Sequence, residues 1–257
     1  MKLNLKKKPV DSGMEKAKNV ISNDSKFAIV EAYKIARTNL VFSLTAMDSN
    51  CVAVTSWSKG EGKSTATVNL AISFAKMNKH VLLIDTDLRR PNLHNLFKLN
   101  NEHGVSDVVA GMSTFDDVVN RNVITCLDVL TSGAIPPNPS ELIASQSFAE
   151  IVERAKGEYD YVIMDTPPLG VVADTLLLKD FVGGYVMVVR ERITTHGDIE
   201  NGLQNIHLAE SKVLGFLKVG CTIRSRGYKY RRYKYKYGYG YGYYSNGYYS
   251  STYYSSR

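Results

Sequence analysis

Four short runs in this chain are apolar at almost every position: CVAVTS at 51–56, HVLLID at 80–85, YVIMD at 161–165 and YVMVVR at 185–190. A strand with one wet face alternates apolar and polar residues, so runs without alternation must be covered on both faces. LDVLTS at 127–132 reads as a further strand. Helical patterns lie between and before these runs. STATVNLAISFAKMNK at 64–79 places Ala66, Leu70, Phe74 and Met77 on one face, and KFAIVEAYKIARTNLVFSLT at 26–45 does the same with Val30, Tyr33, Leu40 and Leu44. SELIASQSFAEIVERAKG at 140–157 reads as a single helix, opened by Ser140 as N-cap and closed by Gly157. Buried strands separated by helices specify an α/β fold, a doubly wound and mostly parallel sheet. At 257 residues and 44% hydrophobic, the chain accommodates one such domain with short appendages.

The appendages are set apart by charge and composition. Residues 1–25 are polar and Lys-rich and read as a flexible basic lead; residues 26–223 read as the folded domain; residues 224–257 read as a disordered tail rich in Tyr, Gly, Lys and Arg. Thirteen of the 17 tyrosines fall in that tail: Tyr228, Tyr230, Tyr233, Tyr235, Tyr237, Tyr239, Tyr241, Tyr243, Tyr244, Tyr248, Tyr249, Tyr253 and Tyr254. From Ser211 onward there are ten Lys or Arg and no acid, so the net charge of +7 divides into +10 for this segment and −3 for residues 1–210. No apolar stretch approaches the ~20 residues of a membrane span, and no apolar core follows the cationic N-terminus as in a secretory signal. Cys51, Cys126 and Cys221 are too far apart for zinc or redox spacing, and a reducing cytoplasmic setting is expected.

The chemistry concentrates where the first strand meets the following helix, in SWSKGEGKST at 56–65. Gly60 and Gly62 allow backbone N–H groups to curl around phosphate oxygens, and the helix start adds unpaired donors and the positive end of its dipole. The candidate nucleotide-binding residues are Ser58, Lys59, Gly60, Glu61, Gly62, Lys63, Ser64 and Thr65. In such a loop the lysine reaches the outer phosphates and the serine hydroxyl ligates Mg²⁺. The strict GxxxxGK[ST] pattern is broken by Trp57 at the first glycine position. Two further segments end apolar strands with carboxylates: LLIDTDLRRP brings Asp85 and Asp87, and YVIMDTPP brings Asp165. In an open parallel sheet the carboxyl ends of strands line the ligand crevice. Mg²⁺ is commonly held by one or two carboxylates with phosphate and water; Ser64, Asp87 and Asp165 are the candidate metal set. Lys63, Asp85 and Asp87 are the candidate catalytic residues. Arg89 and Arg90 suit either transition-state charge or a plain surface pair.

With these residues the chain resembles the bacterial tyrosine kinases, and among them the Gram-positive capsular and exopolysaccharide type. The resemblance rests on a variant Walker A at 56–65, a Walker A′ with Asp85 and Asp87, a Walker B at Asp165, SGAIPPNPSELI at 132–143 and the tyrosine cluster. It implies a P-loop NTPase fold and an ATP- and Mg²⁺-dependent enzyme that phosphorylates the tail tyrosines of neighbouring protomers. In that role Asp85 would orient or deprotonate the incoming hydroxyl, although Asp85 and Asp87 could exchange roles. It implies as partners a single-span membrane activator of the polysaccharide co-polymerase type, a protein-tyrosine phosphatase and a homo-oligomeric ring, an octamer. It implies a place at the inner face of the membrane through the activator. The family's ExxRxxR self-association motif stands here as Glu31, Lys34 and Arg37, where lysine keeps the charge but loses the planar fork. Relatives' last strand reads GxVLN; GFLKVGC at 215–221 carries over no base-contacting residue.

Two other functions compete. One is a MinD/ParA-like ATPase: those ATPases share the motif set but carry a signature lysine at the position of Ser58, with Lys59 here one place later. A basic aromatic tail could also bind nucleic acid or anionic membrane, but tail binding alone needs no ATP site, and no nucleic acid is expected. As a flexible coil, ~27 residues span roughly 30 Å, enough to reach an adjacent subunit. Each phosphate adds about −1.5 to −2, so about six would cancel the tail's charge.

Overall fold

The computed structural model describes residues 20–22 and 24–221. The thirteen tail tyrosines lie outside these residues. The elements in chain order are α1 (Phe27–Ala46), β1 (Cys51–Ser56), α2 (Lys63–Ala75), β2 (Val81–Asp85), α3 (Leu93–Phe97), α4 (Val105–Val109), α5 (Phe115–Val118), β3 (Asn120–Ile124) and β4 (Leu127–Leu130). They continue with α6 (Pro139–Ile143), α7 (Gln146–Glu158), β5 (Tyr161–Asp165), a 3₁₀ turn at Asp174–Leu178, β6 (Tyr185–Arg190), α8 (His196–Leu208) and β7 (Val213–Val219). Seven strands form one sheet in the order β3-β4-β2-β5-β1-β6-β7, with every pairing parallel except β3 with β4. This is the doubly wound, mostly parallel sheet expected from the sequence.

The absence of alternation in the central strands now has its cause. Val52 and Val54 of β1, Val81 and Leu83 of β2 and Ile163 of β5 pack on one face, with Leu40 and Leu44 of α1 and Leu70 and Phe74 of α2. Cys51, Ala53, Leu82, Ile84, Val162 and Met164 point the other way, into a second core with Phe148, Ile151, Val152 and Ala155 of α7. Successive strand residues thus feed opposite cores. β3 was not anticipated: its sequence NRNVI is polar, and only Val123 is buried, because it is an edge strand of a hairpin closed through Cys126 at φ 63°. The edge strand β7 begins two residues before the GFLKVGC segment and ends at Val219 within it.

Three boundaries differ from the sequence reading. The helix expected at 140–157 is two helices, because the Ser145 hydroxyl donates to the Leu142 carbonyl (2.6 Å) and accepts from the Phe148 N–H (3.2 Å), capping α7. Ser140 therefore lies inside α6 rather than capping a long helix, and Gly157 lies inside α7, which ends at Glu158. Helix α2 stops at Ala75, and Asn78 turns the chain with φ 57°, yet Met77 still packs on the core. Within the stretch read as a flexible lead, Val20 and Ile21 are buried, and the Ile21 N–H donates to Asn69 Oδ1 of α2 at 2.7 Å.

Phe148 is fully buried and meets Phe181 edge-on at 5.7 Å. Phe148→Ala should lower unfolding free energy by about 3–5 kcal/mol in a urea titration. Burial pushes the Cys51 thiol up to about 12. It should resist a thiol reagent at pH 8 in the native protein and react on unfolding, whereas exposed Cys221 should react at once.

Candidate nucleotide and phosphoryl-transfer site

Strand order builds the site. β5 lies between β1 and β2, so the phosphate-loop candidate after β1 and the acidic ends of β2 and β5 emerge side by side. Asp85 pairs in register with Asp165, and Asp165 with Val54. A cavity of about 340 Å³ opens there, lined by Ser58, Lys59, Gly60, Gly62, Lys63, Ser64 and Thr65 from the loop and by Asp87, Arg89 and Arg90 from the segment after β2. Pro167, Pro168, Val171 and Val172 supply an apolar wall. Both loop glycines adopt positive φ, 79° at Gly60 and 86° at Gly62, and α2 begins at Lys63 with its N–H groups toward the loop.

Lys63 is buried, and its ammonium meets Asp165 Oδ1 at 2.8 Å and Ser64 Oγ at 3.3 Å. The Thr67 hydroxyl donates to the same carboxylate oxygen at 2.9 Å. The other oxygen, Asp165 Oδ2, is buried with no partner. An orphaned carboxylate oxygen is costly unless something else meets it. Beside a serine hydroxyl and a phosphate loop, hard oxygen donors of this kind fit a divalent cation such as Mg²⁺. Ser64, Asp87 and Asp165, the candidate metal set, are thereby gathered at one end of the sheet.

The two carboxylates after β2 differ. Asp87 lines the cavity; burial raises its pKa above the usual carboxylate range, against the pull of Lys63. Asp85 is fully buried and does not line the cavity. Its oxygens accept the N–H groups of Asn92 and Leu93, both at 3.0 Å, and of Asp87 at 3.2 Å. Burial first, and the neighbouring Asp165 second, push it up to about 7. The residue expected beside the incoming hydroxyl thus ties down the entry to α3.

Arg89 is committed within the chain: its guanidinium holds Asp174 at 2.6 Å and 3.2 Å and the Ser140 hydroxyl at 3.0 Å. Ser140 itself donates to Asp174 at 2.7 Å, which joins α6, the 3₁₀ turn and the segment after β2. Burial acts to raise the Asp174 pKa, but hydrogen bonds from Arg89 and Ser140 outweigh it and hold it below its usual value. Among the described residues no side chain engages the Arg90 guanidinium, and none engages the Lys59 ammonium, so both are free cations on the cavity wall. The Glu61 side chain of the predicted loop also turns inward: it is buried and accepts from the Ser58 N–H at 2.9 Å and from the Thr194 hydroxyl. Trp57 stands clear of the phosphate cradle, its ring packed so closely on Gly170 that an added Cβ there would come within 2.7 Å.

The self-association candidates lie on α1, away from this cavity. Lys34 pairs with Glu31 at 2.7 Å on the exposed face, while Arg37 turns inward and donates to the Ser73 carbonyl in the last turn of α2, also at 2.7 Å.

Comparison with known proteins follows the same residues. Residues 49–211 match the family described as AAA domain. The chain is 39% identical to the tyrosine-protein kinase YwqD of Bacillus subtilis, covering 81% of this chain and 88% of that one. It is 33% identical to the putative tyrosine-protein kinase CapB of Staphylococcus aureus, over 79% of this chain and 91% of that one. The chain belongs to the bacterial tyrosine-protein kinases. Solved structures agree: the kinase domain of the Escherichia coli tyrosine kinase Etk superposes with a TM-score of 0.73 at 34% identity, covering 83% of this chain and 81% of that one. The chimerical protein CapA2B2 gives 0.69 at 38%, covering 72% and 82%. A MinD from Pyrococcus horikoshii, at 23% identity and 0.55, shares the P-loop NTPase fold alone. Among the described residues no helix is long and apolar enough to cross a membrane.

Because Lys63 and Asp165 are both buried, losing either partner strands the other. Lys63→Met and Asp165→Asn should each destabilise the nucleotide-free protein by about 3–5 kcal/mol, and the double variant by less than the sum, in urea unfolding. The stability that Asp174 contributes is present above its unfolded pKa of 3.8 and lost as pH falls through its lower folded value. Asp174→Asn should therefore flatten the acid limb of a stability–pH curve.

Proposed function

We propose that this kinase binds Mg-ATP in the cavity after β1 and transfers the outer phosphoryl group to tyrosines of its own C-terminal cluster, between protomers, in the control of capsular or exopolysaccharide synthesis and export. The observation that carries the reading is the convergence of Lys63, Ser64 and Asp87 on one cavity, with Lys63 bonded to the buried Asp165, whose Oδ2 lacks a protein partner.

Phosphoryl transfer depends on positioning and charge neutralisation more than on covalent chemistry. The N–H groups of the glycine loop and the start of α2 hold the phosphates, and Lys63 leaves Asp165 to reach the outer ones. When bound, Mg²⁺ neutralises developing phosphate charge; Ser64, Asp87 and Asp165 are the residues placed to hold it. Asp87, not Asp85, faces the cavity, which supports the exchange of roles between them: Asp87 nearest the metal and the tyrosine hydroxyl, Asp85 shaping the segment that carries Asp87. Arg90 is free to meet charge on the transferring group, whereas Arg89 positions the wall through Asp174.

Ring assembly through Glu31, Lys34 and Arg37, an activator of the polysaccharide co-polymerase type at the inner membrane face and reversal by a protein-tyrosine phosphatase are parts of the same proposal, supported by family membership. The acceptors proposed are the thirteen tail tyrosines. Incubation of the pure protein with Mg-ATP, with and without an activator peptide, followed by mass-spectrometric mapping, should find phosphotyrosine between Tyr228 and Tyr254. Lys63→Met should reduce it about 100-fold or more. ATP hydrolysis with no tail phosphotyrosine under either condition would point instead to a positioning ATPase.

A further inference from the structure

Glu61 is anomalous for its position. It sits inside a loop that must hold phosphate, yet it brings a negative charge, and that charge is buried, 1% exposed. A buried carboxylate persists only where donors satisfy it. Here two donors do so from opposite sides: the Ser58 N–H at the start of the loop (2.9 Å) and the hydroxyl of Thr194 in the connection between β6 and α8. Thr194 is itself fixed, because its oxygen accepts the Arg190 N–H at 2.7 Å. The Arg190 guanidinium then donates to the Gly60 carbonyl at 3.3 Å, and an added Cβ at Gly62 would lie 3.4 Å from it. Two links therefore join residues 58–61 to residues 190–194, each anchored by a bond within its own segment, on the side of the loop opposite the carboxylates of β2 and β5.

We propose that Glu61 and Thr194 are a positioning pair that sets the shape of the phosphate loop from the β6–α8 junction, so that the loop's N–H groups stand in place before nucleotide arrives. The pair touches no reacting atom; it acts through the peptide planes of Ser58 to Gly62. Glu61 consumes the Ser58 N–H, which directs that group away from the cavity and leaves the donors of the following residues to face it. Gly60 and Gly62 both take the left-handed conformation, so a rigid acceptor beneath them lowers the ordering cost of binding. The inference rests on nucleotide binding at this site.

The test is calorimetric titration of the full chain with Mg-ADP, beside steady-state kinetics and thermal melting. Glu61→Ala and Thr194→Val should each raise the Kd about tenfold. Glu61→Gln, which keeps an acceptor, and Thr194→Ser, which keeps the hydroxyl, should return to within about threefold of the parent. The double variant Glu61→Ala/Thr194→Val should bind no more weakly than either single one, since the two act through one link. In kinetics the KM for ATP should rise while kcat changes little. Should Glu61→Ala fail to fold, Thr194→Val and Thr194→Ser carry the comparison alone. Unchanged Kd in folded variants with only a lowered melting temperature would overturn the pair, as would fully additive losses. A parent chain that binds no Mg-ADP would overturn the pair and the proposed function together, whereas a parent that binds as tightly as every variant removes the pair alone.

Discussion

The insertion of β5 between β1 and β2 is the constraint on which the site depends. The three strands are parallel and in register, so their carboxyl ends reach the same edge of the sheet, and Asp85 and Asp165 face each other as direct partners. Sheet hydrogen bonding fixes that juxtaposition; it owes nothing to attraction between the carboxylates, which repel. The repulsion is offset locally. Lys63 neutralises Asp165, and three backbone N–H groups satisfy Asp85. Hydrophobic packing on both faces of the sheet thus holds acidic groups closer than they would otherwise remain.

The Lys63–Asp165 pair follows from that enforced geometry. Burying two charges carries a desolvation cost that their attraction seldom exceeds by much, so such a pair is weak evidence for stability. Its value lies in what it leaves open. Lys63 occupies one carboxylate oxygen, shared with the Thr67 hydroxyl, and the second remains without a partner. A bound phosphate group draws a lysine more strongly than a carboxylate already shared with a hydroxyl, because it presents more charge. The Lys63 contact therefore neutralises Asp165 without closing the site to ligand.

How much of this was legible follows from what each residue does. The central strands and the gathering of Lys63, Ser64, Asp87 and Asp165 were readable because burial on two faces and phosphate chemistry both impose local composition. Strand β3 was not, since an edge strand needs only Val123 inward and its other positions can be polar. The break between α6 and α7 was hidden because Ser145 is unremarkable in a helical pattern until its hydroxyl caps a new one. Asp85 and Asp87 looked equivalent in DTD, and only the path of the chain into α3 separates the one behind the cavity from the one that lines it. Glu61 was grouped with the phosphate ligands, as its neighbours require; its inward turn depends on Thr194, 133 residues away.

Arg37 shows the same limit from another direction. ExxKxxR on α1 reads as a face for another subunit, yet in the single chain Arg37 donates to the Ser73 carbonyl at the C-terminal end of α2. A guanidinium there satisfies an unpaired carbonyl and meets the negative end of the helix dipole. Lys34 meanwhile pairs with Glu31 one turn away, a contact worth at most about 1 kcal/mol when exposed. The Glu31–Lys34 pair is thus cheap to exchange for contacts with a partner, and the Arg37 contact is not, since its release leaves a carbonyl of the phosphate-loop helix unpaired. Together with Tyr33, whose hydroxyl meets Asn69 in the middle of α2, Arg37 ties α1 to the helix that begins at Lys63, and Ile21, just before α1, bonds the same Asn69. Force applied to α1 is therefore transmitted to α2 through polar bonds as well as packing.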